Sequence, residues 1–171
     1  DLTEWTTYYI RAYASNSNGT VYGNEVTFIA YNTNEYVIDY DGNIYNIIVI
    51  GSQTWMAENL KTTHYADGTD ITLVESSTNW DALYNSSIAM CYYDNSSTNA
   101  ATYGALYTWA AAMNGEASSA NNPSNMQGAC PDGWHLPSDA EWTELTNFIS
   151  SDGYSGIEGT ALKSISGWYN D

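Results

Sequence analysis

Residues 127–148 read QGACPDGWHLPSDAEWTELTNF, and the reading of this stretch decides the fold. Ser138 stands three residues before Glu141. In this S-x-x-E spacing a hydroxyl and a carboxylate satisfy each other's free amides at a helix start. A helix is therefore expected from Ser138, with Trp142, Leu145 and Ile149 as its inward stripe and Gly153 as its stop. Trp142 anchors this helix and Trp134 packs where the chain enters it. Asp139 and Glu141 stand two apart and face differently, and an acid in the first turn meets the helix dipole favourably. That accounts for the carboxylate pair without glycosidase chemistry.

Working outward, residues 102–113 (TYGALYTWAAAM) place Tyr103, Leu106, Tyr107, Ala110 and Ala111 on one helical face, which predicts a second helix. Residues 88–94 (IAMCYYD) read as a strand with Cys91 central. The run 36–60, YVIDYDGNIYNIIVIGSQTWMAENL, predicts strand, turn, strand, turn, strand. Asp41-Gly42 is its tight turn, and Ile44, Ile47, Val49 and Ile50 supply apolar side chains. A turn at Asp67-Gly68 precedes a short strand, ITLV. Residues 79–84 suggest a helical turn capped by Asn79, residues 114–127 form a polar loop, and a third helical segment holds Leu162 and Ile165, with Trp168 beyond. At the other end residues 8–14 alternate with period two, residues 15–19 have turn chemistry, and residues 21–29 form a second strand. Residues 31–35 are a polar linker.

Twenty acidic residues against three basic ones give a formal charge of −17. Such a chain repels phosphate backbones and anionic headgroups, which excludes nucleic-acid and peripheral-membrane roles. No apolar run approaches the ~20 residues of a membrane span. There is no initiator Met and no leader, so the chain reads as a mature or excised segment. Scarce Lys and Arg, abundant Asn, Ser, Thr and Tyr, and two cysteines point to an extracellular or cell-surface setting. There Cys91 and Cys130 are expected to pair, closing a loop of about 40 residues and adding roughly 4 kcal/mol. The alternative is two buried free thiols acting as small hydrophobes.

His64 and His135 are the candidates for acid–base work at neutral pH. His135, between Trp134 and Leu136 just before the helix cap, reads as structural. No nucleophile elbow, zinc helix or phosphate loop accompanies either histidine. Asp39, Asp41 and Asn43 in DYDGN resemble the opening of a calcium loop, but the twelfth position falls on Ile50. A plain β-turn is the preferred reading there, and no other cofactor is indicated. Seven Trp and sixteen Tyr would suit a sugar-stacking platform. Trp55, Trp109, Trp134 and Trp142 sit in periodic or motif positions and read as core, whereas Trp5, Trp80 and Trp168 are less constrained. Asn18, Asn85 and Asn95 stand in glycosylation-type sequons.

From Tyr36 onward the chain resembles the Fibrobacter succinogenes major paralogous domain family of surface proteins. The runs that carry the resemblance are DGNIYNIIVIGSQTWMAENLKTTHYADG, CYYDN, YGALYTWAAA and the opening stretch. The resemblance implies an exported surface module with no established catalytic residues. GWHLPSDAEW is also similar to the RLPTEAEW signature of formylglycine-generating enzymes and of variable ligand-binding proteins with a C-type-lectin-like fold. That implies an α+β domain, two main helices flanking a small, twisted, mostly antiparallel sheet. The cysteine pair those enzymes use in their C-terminal part has no counterpart here. Residues 6–19 and 21–30 resemble the last two strands of a fibronectin type III domain, a likeness that makes Tyr8 the tyrosine-corner residue.

The expected organisation is a partial fibronectin-like segment at 1–31 and a paralogous domain at 36–171 that stops before the family's last strands. The expected function is a non-enzymatic adhesive or structural module. It would act through protein partners or self-assembly, as the subunit of an extracellular filament. Glycan or ligand binding by a lectin-like head is the alternative, and a formylglycine-generating-type enzyme the remote one.

Overall fold

The computed structural model describes residues 2–3, 6–17, 19–29 and 35–163. Trp5, Asn18, Ile165 and Trp168 lie outside them. The chain divides into two compact units, Asp1–Tyr36 and Val37–Asp171.

In the first unit the alternation builds a hairpin, but each leg is split. Strand β1 (Thr7–Ile10) pairs antiparallel with β4 (Val26–Ile29), and β2 (Tyr13–Asn16) with β3 (Gly19–Tyr22). Ile10 faces Val26 and Tyr13 faces Tyr22. The outgoing leg thus spends one residue fewer than the returning leg between the two ladders, which is a bulge. The Gly23 amide donates to the Ala12 carbonyl there at 2.8 Å. Arg11 spans the break, 3.2 Å from Glu25 and over the Tyr22 ring. The Tyr8 hydroxyl accepts the Thr3 amide at 2.7 Å, fastening the chain ahead of β1.

The second unit mixes helices with small sheets and is α+β. Strands β5 (Tyr36–Ile38), β6 (Ile44–Ile50) and β7 (Gln53–Met56) form one sheet in that order. The expected tight Asp-Gly turn between β5 and β6 is a three-residue loop, with Gly42 donating to the Asp39 carbonyl and Asp39 to that of Asn43. Along β6 the inward residue is Tyr45, fully buried, while Ile44, Ile48 and Val49 stay exposed. The isoleucine-rich run therefore does not supply the core as its composition suggested.

The second sheet runs β10-β9-β8, from β8 (Thr72–Leu73), β9 (Ala89–Cys91) and β10 (Leu106–Tyr107). β8 and β9 are parallel, joined by a crossover that holds helix α1 (Ser77–Asp81), so this sheet is mixed. Ser76, not Asn79, caps α1, accepting the Asn79 amide at 3.2 Å.

The helix expected across residues 102–113 does not form. Helix α2 (Ala100–Tyr103) ends at Gly104, whose φ of 70° and ψ of −151° only glycine tolerates. Leu106 and Tyr107 then pair with Cys91 and Met90 as β10, and a new helix, α3 (Trp109–Met113), starts from a Thr108 cap. The close approach also requires glycine there: a Cβ on Gly104 would lie 2.6 Å from both the Asn59 Cβ and the Leu60 carbonyl oxygen. The core gathers under this broken segment. Tyr65, Ile71, Met90, Ala111 and Ala129 pack together, with Leu60, Tyr92, Ala105 and Tyr107 against them.

The longest helix among the described residues, α4 (Asp139–Ile149), carries the full capping box of Ser138 and Glu141. Its buried positions are Glu141, Leu145 and Ile149, four apart, so the inward stripe begins on Glu141 rather than Trp142. Trp142 is 47% exposed and lies against Trp55, ring centres 4.9 Å apart. The short helix α5 (Glu158–Leu162) follows, with Leu162 42% exposed. With α3 only five residues long, the expected pair of main helices is reduced to one.

Candidate functional site

The titratable groups that suggested chemistry are hydrogen-bonded to one another and to neighbouring loops. Asp41 turns away from its own hairpin and accepts from the Thr62 and Thr63 hydroxyls at 3.1 and 3.0 Å, from the Thr63 amide, and from His64 Nδ1. His64 Nε2 lies 2.8 Å from Asp70. Each ring nitrogen thus faces a carboxylate, and both contacts are hydrogen bonds only when the ring carries two protons. Burial would raise the Asp41 carboxyl. The hydrogen bonds from Thr63, His64 and Thr62 outweigh it and hold the group below its ordinary value.

Asp39 is consumed separately. It accepts the Asn43 amide and side-chain nitrogen, both at 2.8 Å, and the Tyr45 hydroxyl at 2.6 Å. Burial, together with that carboxylate, pushes the Tyr45 phenol up. The calcium-loop candidates Asp39, Asp41 and Asn43 therefore do not converge: Asn43 turns its N–H groups to Asp39, and Asp41 serves another loop. Among the described residues no group of three His, Cys, Asp or Glu side chains is placed to hold a metal.

Glu141 is a second hub. Its carboxylate accepts the Ser138 amide at 2.9 Å, the Ser124 amide at 3.1 Å and His135 Nε2 at 2.7 Å. His135, expected to hydrogen-bond backbone, meets this carboxylate instead. Trp134 is half-buried ahead of the helix, its amide donating to the Pro131 carbonyl. Cys91 and Cys130 do not form the expected bridge. Both are free and buried, one ending β9 and the other in the 127–130 turn, each packed as a small apolar side chain. Burial raises both thiols, Cys130 to about 12.

One of the clefts that the fold leaves open is lined by large aromatics. Trp80 on α1, Leu83, Tyr84 and Asn85 in the loop after it, and Thr108 and Trp109 at the start of α3 line a cleft of about 470 Å³. Trp109 is 69% exposed and Tyr84 81% exposed, although Trp109 reads as core in the sequence. The Gly104 break explains the difference, because it re-phases the residues that follow. The Thr108 hydroxyl donates to the Ser87 carbonyl at 2.7 Å and accepts the Ala111 amide at 3.2 Å, tying the two walls together. Two further contacts fix the loop: Leu83 donates to the Trp80 carbonyl and Ser87 to that of Tyr84.

An α+β unit with a capped helix, hydrogen-bonded carboxylates at Asp39, Asp41 and Glu141, and an open cleft lined by Trp80, Tyr84 and Trp109 is the class these observations define. Residues 48–169 match the Fibrobacter succinogenes major domain, and the chain belongs to that family. No curated protein and no solved structure matches it. Among the described residues no helix is long and apolar enough to cross a membrane.

Proposed function

We propose that this chain is a non-enzymatic binding module displayed outside the cell, adhering to its target through the cleft of Trp80, Tyr84 and Trp109. The exposure of Trp109 beside Tyr84 carries the reading. Large aromatics kept in water at a concave surface mark binding sites. The histidines and carboxylates that would serve catalysis are spent on the fold, and the thiols are buried. The C-type-lectin-like architecture belongs to this proposal, supported by the capping box within GWHLPSDAEW. No calcium is assigned a role in it.

The test is display of the chain on a heterologous cell and measurement of retention on polysaccharide-coated and protein-coated surfaces. Wild type should adhere to at least one surface, and Trp80→Ala/Trp109→Ala should not. Equal retention of the two would sink the reading.

Assembly is a second reading, favoured by the first unit. Tyr9 and Ile10 are consecutive in β1 and so point to opposite faces, yet they are 66% and 58% exposed. Tyr13, Val21, Tyr22 and Val26 are exposed as well. The upstream Thr3–Tyr8 hydrogen bond suits a fibronectin type III-like hairpin that gains further strands, from its own domain or from a neighbour in a filament. Sedimentation of the full chain should reveal concentration-dependent association that Ile10→Lys/Val26→Lys removes; a monomer at every concentration argues against the filament.

A further inference from the structure

We infer that the Trp80–Tyr84–Trp109 cleft takes neutral sugar rings, as a short stretch of an uncharged glycan. This rests on the binding reading above and names its ligand. A sugar ring offers an apolar C–H face to stack and a rim of hydroxyls to hydrogen-bond, and the cleft supplies a partner for each. Three aromatic side chains border it, and among the described residues none of them stacks on another ring. The indole N–H groups of Trp80 and Trp109, the Tyr84 hydroxyl and the Asn85 side-chain amide make no hydrogen bond among the described residues. Together they present donors and acceptors at the edge of an apolar surface. A wholly apolar ligand would cover these groups without pairing them, which costs affinity.

Charge narrows the choice. No ionisable acid or base other than the Tyr84 phenol lines the cleft, while the chain as a whole carries −17. An anionic polymer is repelled by that field, and a cation finds its counter-charges elsewhere on the surface. A neutral, polyhydroxylated ligand meets neither obstacle. The volume of about 470 Å³ falls within the roughly 300–1,000 Å³ of small-ligand sites. The Thr108 clamp holds both walls before a ligand arrives, so little ordering is left for binding.

The test is calorimetric titration of the full chain with a panel of neutral hexose and pentose hexasaccharides, with hexagalacturonate as the anionic control. At least one neutral hexasaccharide should bind and change tryptophan fluorescence. Trp109→Ala should weaken that binding by about tenfold or more, Trp109→Phe should restore most of it, and hexagalacturonate should not bind. Near-ultraviolet circular dichroism checks that both variants fold. Absence of binding across the neutral panel, or equal binding by Trp109→Ala, overturns the inference. If the displayed chain still adheres to protein-coated surfaces through the same tryptophans, the sugar inference fails and the binding reading stands. If it adheres to nothing, both fail.

Discussion

Glu141 shows how one side chain can be both legible and hidden. Its pairing with Ser138 follows from a spacing of three, because the capping box is local. Its contacts with Ser124 and His135 depend on a loop returning to the helix, and no spacing announces that. The same fact shifts the inward stripe: an apolar pattern favours Trp142, whereas the buried position goes to the carboxylate that three donors require. Glu141→Gln should cost about 2 kcal/mol, since hydrogen bonds to a charged acceptor are weakened and the new NH2 group would face a donor already aimed at that position. The pH dependence has a definite sign. Burial would raise the Glu141 carboxyl, but the Ser138 amide, His135 and the Ser124 amide outweigh it and hold it below its ordinary value. A carboxyl lowered on folding contributes fully above its unfolded value of about 4.3 and loses that contribution as pH falls through the folded value. Thermal midpoints should therefore fall below about pH 4 in wild type, with a shallower slope in Glu141→Gln. Identical slopes would remove Glu141 from the account.

At the scale of elements, the α4 helix and the β5–β7 sheet were readable because caps, turn residues and β-rich runs act over a few positions. The segment from Tyr103 to Met113 was not. A short helix, a two-residue strand and another short helix happen to place residues at helical spacings, and periodicity alone cannot separate the cases. Gly104 was the available signal, since glycine inside a helical pattern marks a possible break. Gly104→Ala should cost about 3 kcal/mol or more, read from the urea midpoint, because it meets both a forbidden backbone region and the Leu60 carbonyl. Gly115 supplies the control. It too has positive φ, but open space surrounds its missing side chain, so Gly115→Ala should cost only about 1 kcal/mol. Equal costs would mean that the close approach at Gly104 does not hold the break. The cleft depends on this break, which is why Trp109 reads as core in the sequence and stands exposed in the fold.

For the whole molecule, composition spoke to charge and to the classes of partner it repels, while the state of the thiols and the use of the aromatics depended on long-range packing. Cys91 and Cys130 should resist a thiol reagent in native protein and give two reactive thiols on denaturation without reductant. Reactivity appearing only after reduction would restore the bridge. The central claim is a division of labour, with the His64 and Glu141 clusters serving the fold and the Trp80–Tyr84–Trp109 cleft serving binding. Its most direct test measures surface retention and thermal midpoint together for Trp80→Ala/Trp109→Ala and His64→Ala. The account predicts that the tryptophan variant loses retention with little change in midpoint, while His64→Ala lowers the midpoint and keeps retention well below it. Loss of retention in His64→Ala with an unchanged midpoint, and full retention in the tryptophan variant, would contradict it.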